Sequence, residues 1–325
     1  MDRVPRTAAR RARRSRSSAR RHTRPNEMDL RARRVLGRIP GAREAVSLLQ
    51  TLRFQWRHRG DRPIVLVHQM ARVGSVTVFR AIRRNAPTTN LFHTHYLNPA
   101  SIEHFESQAD RAHAATGEPG SRREMLAARW LTARLRGRSP QQPWRIVSLV
   151  RDPVARTISA FFRHFPYAFP TLGARFLDDP LHVPRLLALF RDECEFEHEF
   201  ALNWFDREVR DVFGIDVYAT PFPWASGCAT YIGDRCDLLV MRLEDLEQVG
   251  AAALREFLGL RDVTLTIANS TDREPYAESY RRFLAELRPT REYLDRVYES
   301  RLARHFYSTD ERARFRARWS PSSDG

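Results

Sequence analysis

The sequence of 325 residues contains no lysine, and all 55 of its basic residues are arginine. The phosphate-binding loop of standard nucleoside triphosphatases requires a lysine that reaches the β- and γ-phosphates. A standard kinase or ATPase is therefore disfavoured, although a planar guanidinium can also hold a phosphate through two hydrogen bonds. The exclusive use of arginine is typical of GC-rich coding and indicates a bacterial source.

Cysteine is scarce, and long apolar runs are absent. Cys194, Cys228 and Cys236 are too few for a disulfide framework, so free thiols are predicted, with a Cys228–Cys236 pair as the alternative. The histidines and cysteines lack the spacing of zinc sites, which predicts no bound metal. The sequence also has no apolar signal segment and no run of about 18 apolar residues, so we expect a cytoplasmic protein without a transmembrane helix.

Positive charge is concentrated at the amino-terminal end. Residues 1–60 contain 18 arginines and four acidic residues, a net charge of +14, whereas the remainder has 37 arginines against 35 acidic residues. We expect this tail to be largely disordered, with at most a short helix. It is either a solvated extension, with Met28 as an alternative start, or a weak contact for an anionic membrane or polymer. Nucleic-acid binding through the tail is the alternative non-enzymatic function.

A strand, a tight loop and a helix are predicted in succession near residue 70. Residues 63–68 form a short β-branched apolar run, and residues 76–84 have apolar positions at helical spacing. Gly74 and Ser75 lie between them. This geometry points backbone N–H groups and a helix N-terminus at an anion, most often a phosphate.

Two histidines follow the second predicted strand, Thr88–Phe92. Alternation places His93 and His95 on one face of an extended segment, at the carboxyl end of a strand. A neutral imidazole at this position is suited to deprotonating a hydroxyl near neutral pH. The alternative is a pair of structural histidines. Beside an anion-binding loop we favour a general base, and prefer His95 over His93.

The third predicted strand, Arg145–Val150, is followed directly by a helix. Asp152 before Pro153 fits an N-cap with proline at the first helical position. Arg151 leaves the end of the strand, and Ser159 lies two turns into the helix. A guanidinium and a hydroxyl placed in this way can both donate to a phosphate.

These segments resemble the sulfotransferases that use 3′-phosphoadenosine 5′-phosphosulfate (PAPS). Their 5′-phosphosulfate loop corresponds to Arg72, Val73, Gly74, Ser75, Val76 and Thr77. Arginine replaces the usual lysine, and Val76 takes the place of a second hydroxyl residue. The resemblance also implies that Arg151 and Ser159 bind the 3′-phosphate. In some glycan sulfotransferases one histidine of a His-x-His pair is the base. In similar enzymes a late basic loop closes over the nucleotide, which makes Arg273 a candidate nucleotide-binding residue.

The later part of the chain is similar to a bacterial sulfotransferase-like family of capsular polysaccharide synthesis proteins. A predicted amphipathic helix, Phe196–Phe213, contains Asn203 and Trp204 and is similar to the Asn-x-Trp-like helix of that family. Together the resemblances imply a single α/β domain at residues 61–319, with a P-loop-like, mostly parallel central sheet, helices on both faces and a disordered end at 320–325.

The implied reaction is transfer of a sulfuryl group from PAPS to a hydroxyl acceptor, most simply a carbohydrate or surface polysaccharide, without a metal. A different nucleotide-dependent transferase or kinase is the alternative enzyme. The sequence specifies neither the acceptor nor the oligomeric state.

Overall fold

The computed structural model describes residues 54, 56, 58, 63–116, 122–137, 143–266, 271 and 274–319. The chain separates into two units, residues 1–59 and residues 60–325. Almost all of the predicted tail and the whole of segment 320–325 lie outside the described residues. The predicted disorder of both ends therefore stays a prediction, and the following description concerns the second unit.

One sheet of five strands organises the fold, which confirms a mixed α/β protein. The strands are β1 (Ile64–His68), β2 (Asn90–Thr94), β3 (Trp144–Val150), β4 (Cys228–Ile232) and β5 (Cys236–Arg242). Their order is β2-β1-β3-β5-β4, and all pairs are parallel except β4 with β5. The antiparallel edge strand β4 was not predicted, because its short run, Cys228-Ala-Thr-Tyr-Ile, is only partly buried.

Helices cover the sheet, and β1 and β5 have every side chain buried. Such continuous burial is typical of parallel strands with helices on both faces. The helices are α1 (Ser75–Asn85), α2 (Pro99–Thr116), α3 (Arg122–Arg136), α4 (Pro153–Ala168), α5 (Val183–Leu202), α6 (Leu246–Leu258), α7 (Ala277–Glu286), α8 (Arg291–Tyr298), α9 (Arg301–Phe306) and α10 (Thr309–Trp319). Short helical turns occur at Ala174–Asp178, Pro180–His182, Asp206–Arg210, Asp211–Phe213, Val217–Ala219 and Leu243–Asp245.

The helix predicted at Phe196–Phe213 has different bounds in the structure. Helix α5 begins at Val183 and ends at Leu202, and a separate π-helical turn follows at Asp206–Arg210. The apolar spacing runs through both segments, so the sequence did not reveal the break. The π-turn carries the fully buried Glu208, whose contacts are described below.

Helix α4 is fixed in the core by aromatic side chains. Phe161 lies 5.3 Å from Phe190 of α5, and Phe162 lies 5.1 Å from Phe283 of α7, between ring centroids. Each buried phenylalanine removes a large apolar area from water and prefers such edge-to-face geometry. The packing holds α4 rigidly, and with it any side chain that α4 presents at the edge of the sheet.

The N-terminus of α4 is tied to the last helices of the chain. Asp152 caps the helix by accepting from the N–H of Val154, as predicted. The same carboxylate accepts from the Tyr298 hydroxyl at 2.8 Å and from the Trp319 indole N–H at 3.3 Å. Burial raises the pKa of Asp152, and these hydrogen bonds oppose the rise. The network fixes the position of Arg151, the preceding residue.

His68 ends β1 inside the core and joins the sheet to the π-turn. Its Nε2–H donates to the Glu208 carbonyl at 3.2 Å, and its Nδ1 accepts from the Thr94 hydroxyl at 2.9 Å. The Glu208 carboxylate accepts from the N–H groups of Leu97 at 2.6 Å and Asn98 at 2.9 Å. Burial lowers the pKa of His68 to about 3 and raises that of Glu208.

The buried His68 predicts a loss of stability in mild acid. Between about pH 6 and pH 4, the unfolded chain binds a proton at this histidine and the folded protein does not, so acidification favours unfolding. The free energy of unfolding is expected to fall by roughly 1.4 kcal/mol more per pH unit in the wild type than in His68→Gln. Urea unfolding at a series of pH values measures both slopes. Equal slopes for the two proteins between about pH 6 and pH 4 would contradict the view that His68 stays neutral in the folded protein. Above about pH 7.5 equal slopes are expected, since the imidazole is neutral in both the folded and the unfolded state.

Candidate active site

The carboxyl ends of β1 and β3 define the site. These strands are neighbours, but the chain leaves β1 towards β2 on one side and β3 towards β5 on the other. Ligands of open α/β sheets bind in the crevice at such a switch point. The loop after His68 and the residue after Val150 meet here, so the structure brings together segments that are about 80 residues apart in the sequence.

The loop from Gln69 to Gly74 has two residues in the left-handed backbone region. Arg72 has φ of 74° and Gly74, the N-cap of α1, has φ of 82°. Turns of this kind direct successive N–H groups into a concavity that binds anions. The first N–H groups of α1, at Ser75 and Val76, have no backbone acceptor among the described residues, whereas that of Thr77 donates to the Gly74 carbonyl.

Replacement of Gly74 by alanine is expected to destabilise the protein strongly. An added Cβ would lie 2.5 Å from Leu243 Cδ1, and the left-handed conformation is itself unfavourable for alanine. We expect a loss of roughly 2–4 kcal/mol in the free energy of unfolding. Gly214→Ala is the matched control, because its φ is 76° but nothing lies within 4 Å. Urea unfolding should show a larger loss of unfolding free energy for Gly74→Ala than for Gly214→Ala. The double variant Gly74→Ala/Leu243→Ala should recover part of that loss. Equal losses at positions 74 and 214 would contradict the steric argument.

Guanidinium groups surround the loop. Arg151 Nη1 donates to the Arg72 carbonyl at 3.1 Å, and Arg156 Nε donates to the Ala71 carbonyl at 3.3 Å. Arg72 Nε reaches across to helix α4 and donates to Ser159 Oγ at 2.9 Å. Three of the predicted anion-binding side chains, those of Arg72, Arg151 and Ser159, therefore form one connected group.

The positive charge in this group is incompletely compensated. Arg151 interacts electrostatically with the adjacent carboxylate of Asp152, but that carboxylate is occupied by hydrogen bonds at the start of α4. Among the described residues, Arg72, Arg151 and Arg163 form no ion pair with a carboxylate. Burial lowers the pKa of Arg72; the nearby Tyr276 opposes this shift, whereas the cations of Arg163 and Arg151 add to it. Buried charges are normally paired, so a cluster of like charges is stabilised when an anion binds. The arrangement therefore favours a phosphate or sulfate ligand.

His95 contacts the start of the same loop, and this contact defines its tautomer. Its Nδ1 is 2.8 Å from the carbonyl oxygen of Gln69. A carbonyl can only accept, so Nδ1 carries the proton, and in the neutral ring Nε2 has a free lone pair. Nε2 has no hydrogen-bond partner among the described residues. Trp204 Nε1–H donates to the backbone carbonyl of His95 at 3.2 Å and helps to hold this segment. The half-buried His95 is thus arranged as a proton acceptor.

His93 has different surroundings, although its ring lies only 5.0 Å from that of His95. It belongs to β2, one residue position beyond the predicted end of that strand. Its Nε2 is 3.0 Å from Gln69 Nε2 and 2.9 Å from Ser75 Oγ. Burial lowers the pKa of His93 to about 3, and the neighbouring His95 contributes. The imidazole is neutral at physiological pH, and its Nε2 is occupied by protein groups.

The other residues predicted for the loop contribute in different ways. Val73 is fully buried and can offer only its backbone to a ligand, while Val76 is half-buried. The side chain of Thr77 is buried within α1. Arg273 lies outside the described residues, so its predicted role stays a prediction.

Three contributors to the site were missed by sequence reasoning. Gln69, which is fully buried, contacts both histidines, and its position directly after β1 could have revealed it. Trp204 and Glu208 hold the segment after β2 from more than 100 residues away. No local pattern connects them to that segment.

Metal-binding and membrane-spanning features were also searched in the described part of the chain. It contains no group of three or more His, Cys, Asp or Glu residues that could hold a metal ion. Cys228 and Cys236 are free thiols there. None of its helices is sufficiently long and apolar to span a membrane.

Comparison with known families identifies one similarity. The family NKWYS, described as "Putative capsular polysaccharide synthesis protein", matches residues 189–308. The matched segment includes Trp204 and Glu208, which hold the backbone beside His95, but not the loop at Arg72 or Arg151. No curated protein and no solved structure matches the chain. The family match is consistent with a polysaccharide-related role.

Proposed function

We propose that this protein is a PAPS-dependent sulfotransferase that transfers a sulfuryl group to a hydroxyl of a carbohydrate. The observation that carries the proposal is that one loop, from Gln69 to Gly74, is contacted both by arginines without a carboxylate ion pair among the described residues and by a base of fixed tautomer. Arg72, Arg151 and Ser159 provide donors for anions, and His95 offers the Nε2 lone pair. The P-loop-like character of the loop at Gly74 is part of this proposal.

The anion donors suit a ligand with two phosphate groups. Arg151 and Ser159 would hold the 3′-phosphate, while Arg72 and the N–H groups at the start of α1 would hold the 5′-phosphosulfate. The contact between Arg72 and Ser159 means that the two subsites adjoin. We expect bound anions to replace this contact, since a charge-assisted hydrogen bond is stronger than one to a neutral hydroxyl.

The donor supplies an activated sulfuryl group whose leaving group is adenosine 3′,5′-bisphosphate. The acceptor oxygen forms a bond to sulfur as the bond from sulfur to the phosphate oxygen breaks. His95 Nε2 takes the hydroxyl proton, and Nδ1–H remains bonded to the Gln69 carbonyl, which stabilises the imidazolium. Arg72 and the helix N-terminus stabilise the negative charge that develops on the leaving phosphate. The chemistry of these residues needs no metal ion.

A polysaccharide is the proposed acceptor, on the support of the family match at residues 189–308. That segment supplies contacts that hold the backbone of the proposed base and the residues after it. An acceptor site close to His95 would therefore be built partly from this region. The identity of the sugar and the hydroxyl that is modified are left open by the proposal.

Calorimetric titration tests the donor class. Adenosine 3′,5′-bisphosphate is compared with AMP and ADP, which lack the 3′-phosphate, and with ATP plus magnesium. Preference for the bisphosphate, together with formation of bisphosphate from PAPS in the presence of polysaccharide, is the expected result. Equal binding of all nucleotides would overturn the proposal, and preference for ATP plus magnesium would favour a kinase instead.

A further inference from the structure

The side chain of Gln69 connects the two histidines with the start of helix α1. It is fully buried, and its Oε1 has no hydrogen-bond partner among the described residues. Its Nε2 is 3.0 Å from His93 Nε2, which is in turn 2.9 Å from Ser75 Oγ. A buried polar side chain normally has its hydrogen bonds satisfied, so this incompletely paired group requires an explanation.

His93 cannot easily serve the acceptor. Its Nε2 faces Gln69 on one side and Ser75 on the other, so the atom has no open approach, in contrast to Nε2 of His95. The low pKa of His93, about 3, is consistent with an imidazole that stays neutral in the catalytic cycle. What His93 does contact is the first residue of α1, whose hydroxyl lies at the anion-binding end of the helix.

We propose that Gln69 and His93 are positioning residues that orient the Ser75 hydroxyl towards the 5′-phosphosulfate, while His95 alone exchanges a proton with the acceptor. This inference rests on the function proposed above and assigns the two histidines to different tasks. His93 acts on the donor side through Ser75, and His95 acts on the acceptor side.

Hydrogen-bond polarity explains the need for such a pair. A serine hydroxyl has one proton, and an anion is stabilised only if that proton points towards it. This requires Ser75 Oγ to accept from His93 Nε2–H. When the Gln69 amide is turned by 180°, its Oε1 takes the place of its Nε2, 3.0 Å from His93 Nε2, and accepts from the same N–H. This orientation favours the required tautomer of His93, and the amide NH2 then takes the position that has no partner among the described residues. With the opposite tautomer, Ser75 would donate to the histidine and present lone pairs to the anion.

A double-mutant cycle on nucleotide binding tests the inference. Adenosine 3′,5′-bisphosphate is titrated into the wild type, His93→Ala, Ser75→Ala and the double variant. Each single replacement is expected to weaken binding by about tenfold, as the loss of one hydrogen bond to a charged group predicts. The double variant should be no weaker than the weaker single variant, because His93 acts only through Ser75. His93→Gln restores an amide N–H near the position of Nε2 and should recover most of the affinity.

A second ligand distinguishes positioning from general damage. Adenosine 3′-monophosphate lacks the 5′-phosphate, so its affinity should be the same in all of these variants. Additive losses in the cycle, or equal losses for the 3′-monophosphate, would overturn the inference while leaving the sulfotransferase proposal intact. Failure of the wild type to bind the bisphosphate would overturn both.

Discussion

Arg151→Ala is expected to weaken binding of adenosine 3′,5′-bisphosphate by about a hundredfold, the equivalent of two hydrogen bonds to a charged phosphate. Arg151 lies at the end of β3, immediately before the capped start of α4, and its guanidinium has no carboxylate within ion-pair distance in the described chain. It is therefore already oriented and available for an anion. Titration calorimetry measures the effect directly.

The comparison with AMP makes the result specific. AMP should lose much less affinity than the bisphosphate, because Arg151 affects the 5′-phosphate only through its bond to the Arg72 carbonyl. Arg255→Ala removes the same charge from an exposed position on α6 and should bind both nucleotides like the wild type. A similar loss for AMP and the bisphosphate would show that Arg151 organises the loop rather than recognising the 3′-phosphate.

His95→Gln is expected to lower turnover by about 10²- to 10⁴-fold, the usual contribution of a general base. Binding of the bisphosphate should change by less than about twofold, because the proposed anion contacts lie on Arg72, Arg151 and Ser159. Turnover is followed as formation of adenosine 3′,5′-bisphosphate from PAPS in the presence of polysaccharide. His104→Gln, a replacement on α2, is the control.

The paired histidine gives this prediction its sharpest form. If His95 is the base, His93→Gln retains turnover at saturating donor, since only donor affinity depends on the Ser75 contact. Wild-type turnover in His95→Gln would eliminate the assignment. A large loss of turnover in His93→Gln with unchanged donor affinity would transfer the role of base to His93.

The order of elements was readable because local patterns specify it. The β-branched run before His68 and the apolar run before Arg151 predicted β1 and β3, and both strands are present. The Asp152-Pro153 pair predicted the start of α4, since a side-chain cap and a fixed proline φ act within a few residues. Strand β4 was missed because its short run is only partly buried. The π-turn at Asp206–Arg210 was missed because its Glu208 contacts a segment more than 100 residues away.

The sequence by itself determined the chemical composition of the site. Residue type and spacing alone reveal four of its features. They are the use of arginine without lysine, a glycine between a strand and a helix, two histidines after β2, and the arginine–serine pair around α4. These features pointed to an anion site beside a candidate base. They could not separate the two histidines, since alternation along an extended chain places both on the same face.

Only the tertiary structure decided which group each side chain meets. The parallel pairing of β1 with β2 and β3 brings Gln69, the histidines and Arg151 to one edge of the sheet. The Gln69 carbonyl fixes the tautomer of His95, whereas Ser75 and the Gln69 amide occupy His93. Hydrogen bonds depend on distances of about 3 Å between atoms, and between residues far apart in the chain such distances exist only after the sheet has formed.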